Sequence, residues 1–283
     1  MKITKTKKKI TGAKRAFNVT ALTAAVLFAA FACRGDVQTT RYVVKTDKIN
    51  GGGARLVLVT DLHSEKQKNL IKIIEGQKPD LILLGGDIFD SRAAFDGARE
   101  FLTGISEIAP FYYVTGNHEY WGGKIELIRE EIISRGGNVL SDEYVEIEIN
   151  GNKIILAGAE DPSRGGYADY DRAEVTKKAF GDLRGRGEYK ILLSHRPENA
   201  DDYSEYRFDL ILSGHAHGGQ VRIPFLIKNG LYAPNQGVFP KYTGGLYERG
   251  ETVQIVCRGA AKRHPFLPRV FNRPETVTVI IEK

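Results

Sequence analysis

From residue 55 onward the chain alternates short apolar runs with amphipathic stretches. Arg55-Leu56-Val57-Leu58-Val59-Thr60, Asp80-Leu81-Ile82-Leu83-Leu84-Gly85 and Phe111-Tyr112-Tyr113-Val114-Thr115 lack the polar alternation of half-exposed strands, which predicts strands covered on both faces. Between the first two, Lys66 to Gly76 carries Leu70, Ile71, Ile73 and Ile74 at helical spacing before a closing glycine. Phe95 to Ile108 and Gly123 to Arg135 also read as helices. This order predicts an α/β domain with a parallel core. The pattern then changes. Tyr144 to Ile149 alternates apolar with acidic residues, Asn150-Gly151 follows, and Lys153 to Ala157 resumes an apolar run, the signature of a hairpin. Further strands are expected at Tyr189 to Leu193, Phe208 to Leu212, Val253 to Val256 and Thr276 to Ile281, forming a second sheet packed on the first.

The N-terminus follows a different rule. Lys2, Lys5, Lys7, Lys8, Lys9, Lys14 and Arg15 precede an uncharged apolar run from Val19 to Cys33. A basic flank before an apolar run marks a membrane-targeting segment, and the basic end tends to stay cytoplasmic. Fifteen residues fall short of the roughly 20 that span a bilayer comfortably, so a signal segment and a short anchor both stay open. The expected division is residues 1–33 as basic flank and apolar segment, 34–53 as a tether with an edge strand at most at Arg41 to Val44, and 54–283 as the catalytic domain. The body would then lie at the extracytoplasmic face of a bacterial membrane.

The net charge of +6 belongs to this segment. Seven of the 41 lysines and arginines precede residue 19, so the remaining 34 balance 35 acidic residues. A body near neutrality argues against a face that tracks nucleic acid. A local cluster of Arg258, Lys262, Arg263, His264, Arg269 and Arg273 is equally consistent with a solvated loop and a phosphate-facing role. The two cysteines, Cys33 and Cys257, make no disulfide framework.

Five of the six histidines fall in short blocks that follow the apolar runs: Asp61-Leu62-His63, Gly85-Gly86-Asp87, Gly116-Asn117-His118-Glu119, Ser194-His195 and Gly214-His215-Ala216-His217. Histidine and carboxylate bind hard and borderline divalent metals. In extended backbone, positions i and i+2 point the same way, so Asp61 with His63, and His215 with His217, can each serve one ion. The C-terminal edge of an open α/β sheet is where ligands gather. Asp61, His63, Asp87, Asn117, His195, His215 and His217 are too many for one tetrahedral ion and suit two divalent ions sharing a carboxylate. Such a pair, of manganese, iron, zinc or cobalt, would clamp a phosphoryl group while hydroxide formed on the metals attacks phosphorus. His118, beside a ligand but spare, could stabilise charge or protonate the leaving oxygen. Tyr120, Trp121 and Tyr167 could line a pocket, and Arg164 and Arg196 could meet phosphate.

Together these blocks resemble the calcineurin-like metallophosphoesterase family over roughly residues 54 to 283. The resemblance implies a two-sheet β-sandwich flanked by helices with a dinuclear centre. By that likeness Asp61, His63 and His217 would hold one metal, Asn117, His195 and His215 the other, with Asp87 bridging and His118 the acid or charge stabiliser. His217-Gly218-Gly219-Gln220-Val221 with Pro224, and Arg273-Pro274-Glu275, resemble a membrane-associated branch that includes twin-arginine-exported phosphoesterases and a UDP-2,3-diacylglucosamine pyrophosphatase. Lys14-Arg15-Ala16-Phe17 resembles an export motif with lysine in place of its first arginine, and Ala30-Phe31-Ala32-Cys33 a lipoprotein site, with Cys33 the residue that would carry lipid. The expected activity is hydrolysis of a phosphoester or pyrophosphate, on a lipid-linked or envelope substrate or alternatively on soluble nucleotides and small phosphoesters. A non-catalytic scaffold and a nuclease are the rival readings.

Overall fold

The apolar runs form the centres of two six-stranded sheets stacked face to face in a computed structural model that describes residues 4–165, 171–262 and 267–283. Strands β1 (Gln38–Lys45), β2 (Ala54–Val59), β3 (Leu81–Gly85), β4 (Phe111–Val114) and β5 (Asn138–Val139) join β14 (Glu275–Glu282) in the order β1-β14-β2-β3-β4-β5. β2 to β5 are mutually parallel, β14 runs antiparallel to β2, and β1 is parallel to β14. The second sheet contains β6 (Glu143–Ile149), β7 (Asn152–Ala159), β8 (Tyr189–Ser194), β9 (Leu210–Ser213), β12 (Gly245–Arg249) and β13 (Thr252–Val256) in the order β12-β13-β9-β8-β7-β6. A small hairpin, β10 (Tyr232–Ala233) with β11 (Gly237–Val238), stands apart from both.

Continuous apolarity in the strands has a simple cause. Leu56 and Leu58 of β2 and Leu81 and Leu83 of β3 point between the sheets, where they meet Leu156, Ile191, Leu193 and Leu212. Their neighbours Val57, Val59, Ile82 and Leu84 point to the other face. There they lie under helices α2 (Leu70–Gly76), α3 (Asp96–Ser106) and α5 (Ile125–Ile133), which contribute Leu70, Ile74, Phe101, Leu102, Ile105, Ile128 and Ile132. On the second sheet the outer layer is α6 (Arg172–Phe180) and a long 3-10 segment, Pro197–Tyr206, which bury Phe180, Ala200, Tyr203 and Tyr206 against Ile155, Leu192 and Ile211. The hairpin at Asn150-Gly151 has both turn residues at positive φ, 50° and 78°, which matches the right-handed twist of β6 and β7.

Within residues 34–53 the edge strand expected at Arg41 to Val44 is present and longer. Eight residues form β1, paired with β14 from Gln38↔Glu275 to Lys45↔Glu282. A Thr-rich, half-exposed alternation hid its full length, because only Val44 is buried. Helix α1 (Thr4–Ala32) is longer than the apolar run, and Lys14–Ala32, 19 residues of mean hydropathy 1.5, is long and apolar enough to cross a membrane. Its side chains at Phe17, Leu22, Leu27, Phe28 and Phe31 are exposed on the protein. Cys33 and Cys257 are both free, and burial pushes the Cys257 thiol up to about 12.

Leu83 fills the space between the sheets with no exposed surface. Leu83→Ala should lower stability by about 2–5 kcal/mol in chemical denaturation, because the stacked sheets collapse little around the void. A loss below about 1 kcal/mol would mean the inter-sheet core is loosely packed.

Candidate metal centre

Parallel strands of both sheets end at one seam. Asp61 and His63 follow β2, Asp87 follows β3, Asn117 follows β4, His195 follows β8, and His215 and His217 follow β9. The structure brings together six of the seven residues expected as ligands and sets Asn117 between Gly116 and His118, which both lie against Asp87; all but His63 are at least nine-tenths buried. The ligand atoms of Asp61, His63 and His217 lie within 4.8 Å of one another, as do those of Asp87, His195 and His215. Asp87 Oδ2 stands between the sets, 3.8 Å from His63 Nε2 and 3.4 Å from His195 Nε2.

Backbone conformation aims these groups. Asp61, His63, Asp87, His215 and His217 all have φ between 46° and 64°. Each such left-handed residue costs roughly 1–2 kcal/mol. The turns are held by cross-links between loops: Asp61 N donates to Gly86 O at 3.0 Å, His63 N to Asp87 O at 2.9 Å and Ala261 N to Asp61 O at 2.9 Å. Gly86, at φ 86°, lies so close to His195 that an added Cβ would sit 2.6 Å from its Nδ1. Glycine is required there twice over, by angle and by space.

Hydrogen bonds set the imidazole tautomers. His195 Nδ1 donates to Gly85 O at 2.7 Å, which leaves Nε2 directed at Asp87. His215 Nε2 donates to Asn235 Oδ1 at 2.8 Å, which leaves Nδ1 directed inward, 3.2 Å from His195 Nε2. His63 Nε2 and His217 Nε2 face each other at 3.3 Å. Asn117 Oδ1 is buried without a hydrogen-bond partner among the described residues. Converging imidazole lone pairs and an orphaned buried carbonyl oxygen are costly in an apo protein and are satisfied by a divalent cation. The donor set therefore fits metal.

Charge follows the same logic. Burial raises Asp61, partly offset by His195 and His63. Burial would also raise Asp87, but the charge and hydrogen bond of His195, with His63 and His118, hold it well below the ordinary carboxylate range. Burial works against a proton on His195, yet Asp87 wins and pushes it up to about 10. His215, buried beside His195, is pushed down to about 3.

Several supporting residues were given no such role from the sequence. Asp90 accepts from His63 Nδ1 at 3.1 Å and from His118 Nδ1 at 3.2 Å through the same Oδ2. Its placement three residues beyond Asp87 was the available clue. Glu119 is fully buried and accepts from Gly116 N, Asp87 N and Phe89 N at 2.9–3.1 Å, tying the loop after β3 to helix α4 (Asn117–Trp121). Burial and the nearby Asp87 push Glu119 up to about 8. Arg269 Nη1 donates to His217 O and Asn272 Nδ2 donates to the same oxygen at 2.7 Å, so the C-terminal segment clamps the His-x-His loop.

That result revises the basic cluster: Arg269 is a buried clamp, Arg273 pairs with Asp36, and Arg258 lies against Glu275. Arg263 and His264 lie outside the described residues, as does Tyr167. The phosphate roles considered for Arg196 and Arg164 are also revised. Arg196 is buried in a two-pronged pair with Asp161 at 2.6 and 2.7 Å, and Arg164 pairs with Asp142 and Glu160. Trp121 is exposed, its ring 4.9 Å from that of His118, whereas Tyr120 is half-buried. A separate cavity of about 780 Å³ contains Lys48, Arg184 and Arg249, but these cations are paired with Asp209, Glu205 and Asp201 and none belongs to the centre.

A two-sheet α/β body with histidine and aspartate ligands at the shared strand edge defines a metal-dependent phosphoester hydrolase. The chain belongs to the calcineurin-like phosphoesterase family, whose pattern it matches over residues 54–219. It is 30% identical over 259 residues to the metallophosphoesterase YkuE of Bacillus subtilis (strain 168), covering 87% of this chain and 86% of that one. It is 29% identical to the phosphodiesterase YaeI of Escherichia coli (strain K12), covering 81% and 82%. A transmembrane protein with metallophosphoesterase domain from Danio rerio is 26% identical, covering 82% of this chain and 54% of the relative. Among solved structures, TT1561 of Thermus thermophilus shares the fold at TM-score 0.50 and 15% identity, covering 73% of this chain and 90% of that one.

A metal held by His195 would have to displace the proton that Asp87 favours on that ring. A titration of the metal-free protein with Mn²⁺ should therefore release at least one proton per chain. The affinity should rise roughly tenfold per pH unit between about pH 6 and 8, because fewer chains then carry the competing proton. Calorimetry in buffers of different ionisation enthalpy reads both quantities, and an affinity independent of pH would contradict the assignment.

Proposed function

We propose that this hydrolase works with two divalent ions, of manganese, iron, zinc or cobalt, and cleaves a phosphoester or pyrophosphate bond of a lipid-linked or cell-envelope substrate. The observation that carries the two-ion reading is the pair of three-residue ligand sets on either side of Asp87 Oδ2. In this reading Asp61, His63 and His217 hold one ion, Asn117, His195 and His215 hold the other, and Asp87 is shared. When bound, such ions polarise phosphoryl oxygens and make water acidic enough to attack at neutral pH. The protein's own part is to fix ligand tautomers through Gly85 O, Asn235 and Asp90, and to keep His118 beside the reacting phosphoryl group. Asp90 holds the Nδ1 side of His118, which leaves Nε2 to donate to the leaving oxygen or to a developing charge.

Three observations support the membrane and lipid part. The Lys14–Ala32 stretch is apolar and exposed, a relative carries a transmembrane description, and the basic flank favours a body outside the cytoplasm. The name phosphodiesterase on the Escherichia coli relative favours small phosphodiesters as the second substrate class.

Asp87→Ala should abolish turnover and loosen both metals, measured by metal content after dialysis alongside hydrolysis of an aryl phosphodiester. Near-normal activity in that variant would refute the shared role. His118→Ala should keep its metal but lose roughly 10²–10⁴-fold in rate. Loss of metal from His118→Ala would instead place that ring among the ligands.

A further inference from the structure

Beyond Gln220 the chain leaves the ligand loop and builds a flap. It runs out through Ile223-Pro224-Phe225-Leu226-Ile227-Lys228, returns at Gly230 and closes with the β10–β11 hairpin. The root of the flap is joined to the metal centre. Leu231 N donates to Gly219 O at 2.8 Å, and Asn235, in the hairpin turn, accepts a hydrogen bond from His215 Nε2. The tip is different: Phe225 is 92% exposed and Leu226 81%, and on the returning hairpin Phe239 is 69% exposed and Val238 63%. From Ile223 to Pro240 the single charged residue is Lys228. Large apolar side chains gathered in one exposed segment mark an interaction surface rather than ordinary solvent-facing residues.

A second observation says what that surface meets. Val221 bridges Val270, the next residue Phe271 donates its N–H to Ala32 O at 2.6 Å, and the Phe271 ring packs on Phe28 and Phe31 at 5.6 and 6.2 Å. The flap root and the C-terminal end of α1 thus share one short strip. Val221 to Phe225 is four residues, a reach of at most roughly 14 Å. With α1 read as a membrane segment, on which this inference rests, Ala32 marks the bilayer surface at the end remote from Lys14 and Arg15.

We propose that the flap, residues 223–239, seats its apolar tip in the interfacial layer of the bilayer that α1 enters, so that the metal centre stands at the headgroup layer. Aromatic and leucine side chains bury about 5–10 Å into that layer in interfacial segments. The one charge present is a cation, which suits anionic headgroups. Water-soluble substrate needs no such seat, whereas a phosphate held at a lipid headgroup is brought to the ligands by it.

The test uses the full chain reconstituted in phosphatidylcholine–phosphatidylglycerol vesicles. Phe225→Cys or Phe239→Cys, each with Cys33→Ser, carries an NBD fluorophore; Cys257 is buried and stays unlabelled. Ile133→Cys on α5, 61% exposed, is the aqueous control. Labels at 225 and 239 should be blue-shifted and quenched several-fold by lipids carrying a shallow nitroxide, while the label at 133 is quenched by iodide. Equal iodide access at all three positions overturns the proposal. So does protection that grows with protein concentration in lipid-free detergent, because a second copy would then be the occupant. Phe225→Asp with Leu226→Asp should reduce turnover of a vesicle-embedded lipid pyrophosphate at least tenfold and spare soluble bis(p-nitrophenyl) phosphate; equal rates on both overturn it. If the labels insert but no lipid phosphate is cleaved, the seating stands and the lipid-substrate reading falls. If lipid is cleaved while both labels remain aqueous, the seating alone falls.

Discussion

Two aspartates, four inward-facing imidazoles and an amide oxygen converge at a seam where they have few partners but one another. Asp61 and Asp87 have essentially no exposed surface. Two buried carboxylates at such range repel, and facing imidazole nitrogens must share protons or a cation. The apo protein meets part of this demand by placing protons on histidine beside Asp87. Backbone donors meet a further part: His118 N reaches Asp87 Oδ1 at 2.9 Å and His215 N reaches Asp61 Oδ2 at 3.0 Å. The second of these bonds crosses from one sheet to the other. The centre is therefore both a strained part of the protein and one of the links that hold the two sheets in register at that edge.

That strain is supported from behind. Five residues of the candidate metal centre adopt left-handed backbone, a conformation that persists only where surrounding structure enforces it. Enforcement comes from the apolar strands, which end abruptly in fully buried positions, and from the clamp of Arg269 and Asn272 on His217 O. Arg269 directs its donors to the carbonyls of His217, Arg258 and Gly259, with the charges of Asp61 and Glu275 acting on it from nearby. A guanidinium buried among carbonyls is a rigid brace, since its planar fork cannot rotate without losing several bonds together.

Much of this was legible in the chain itself. Strands buried on both faces announce themselves by unbroken apolarity, and ligand blocks directly after such strands point to one edge. The β1 strand was read short because an edge strand half open to water has a polar alternation that looks like linker. Asp90, Asn235, Arg269 and Asn272 were missed for another reason. Each holds a histidine of the candidate centre in place, so its residue type carries no distinguishing pattern, and only folding shows which histidine it faces. Arg196 illustrates the converse: its side chain suggested phosphate, and Asp161, 35 residues upstream, had already claimed it.

Asp90 has a practical bearing on how a bound substrate could be captured for direct study. One carboxylate oxygen orients both His63 and His118, so altering Asp90 would disturb ion retention and proton delivery in the same stroke. An inert variant made at that position would be blind to its ligand as well as slow. Substitution at His118 leaves the His63 contact standing, which makes it the better starting point for a trap that still grips what it cannot cut.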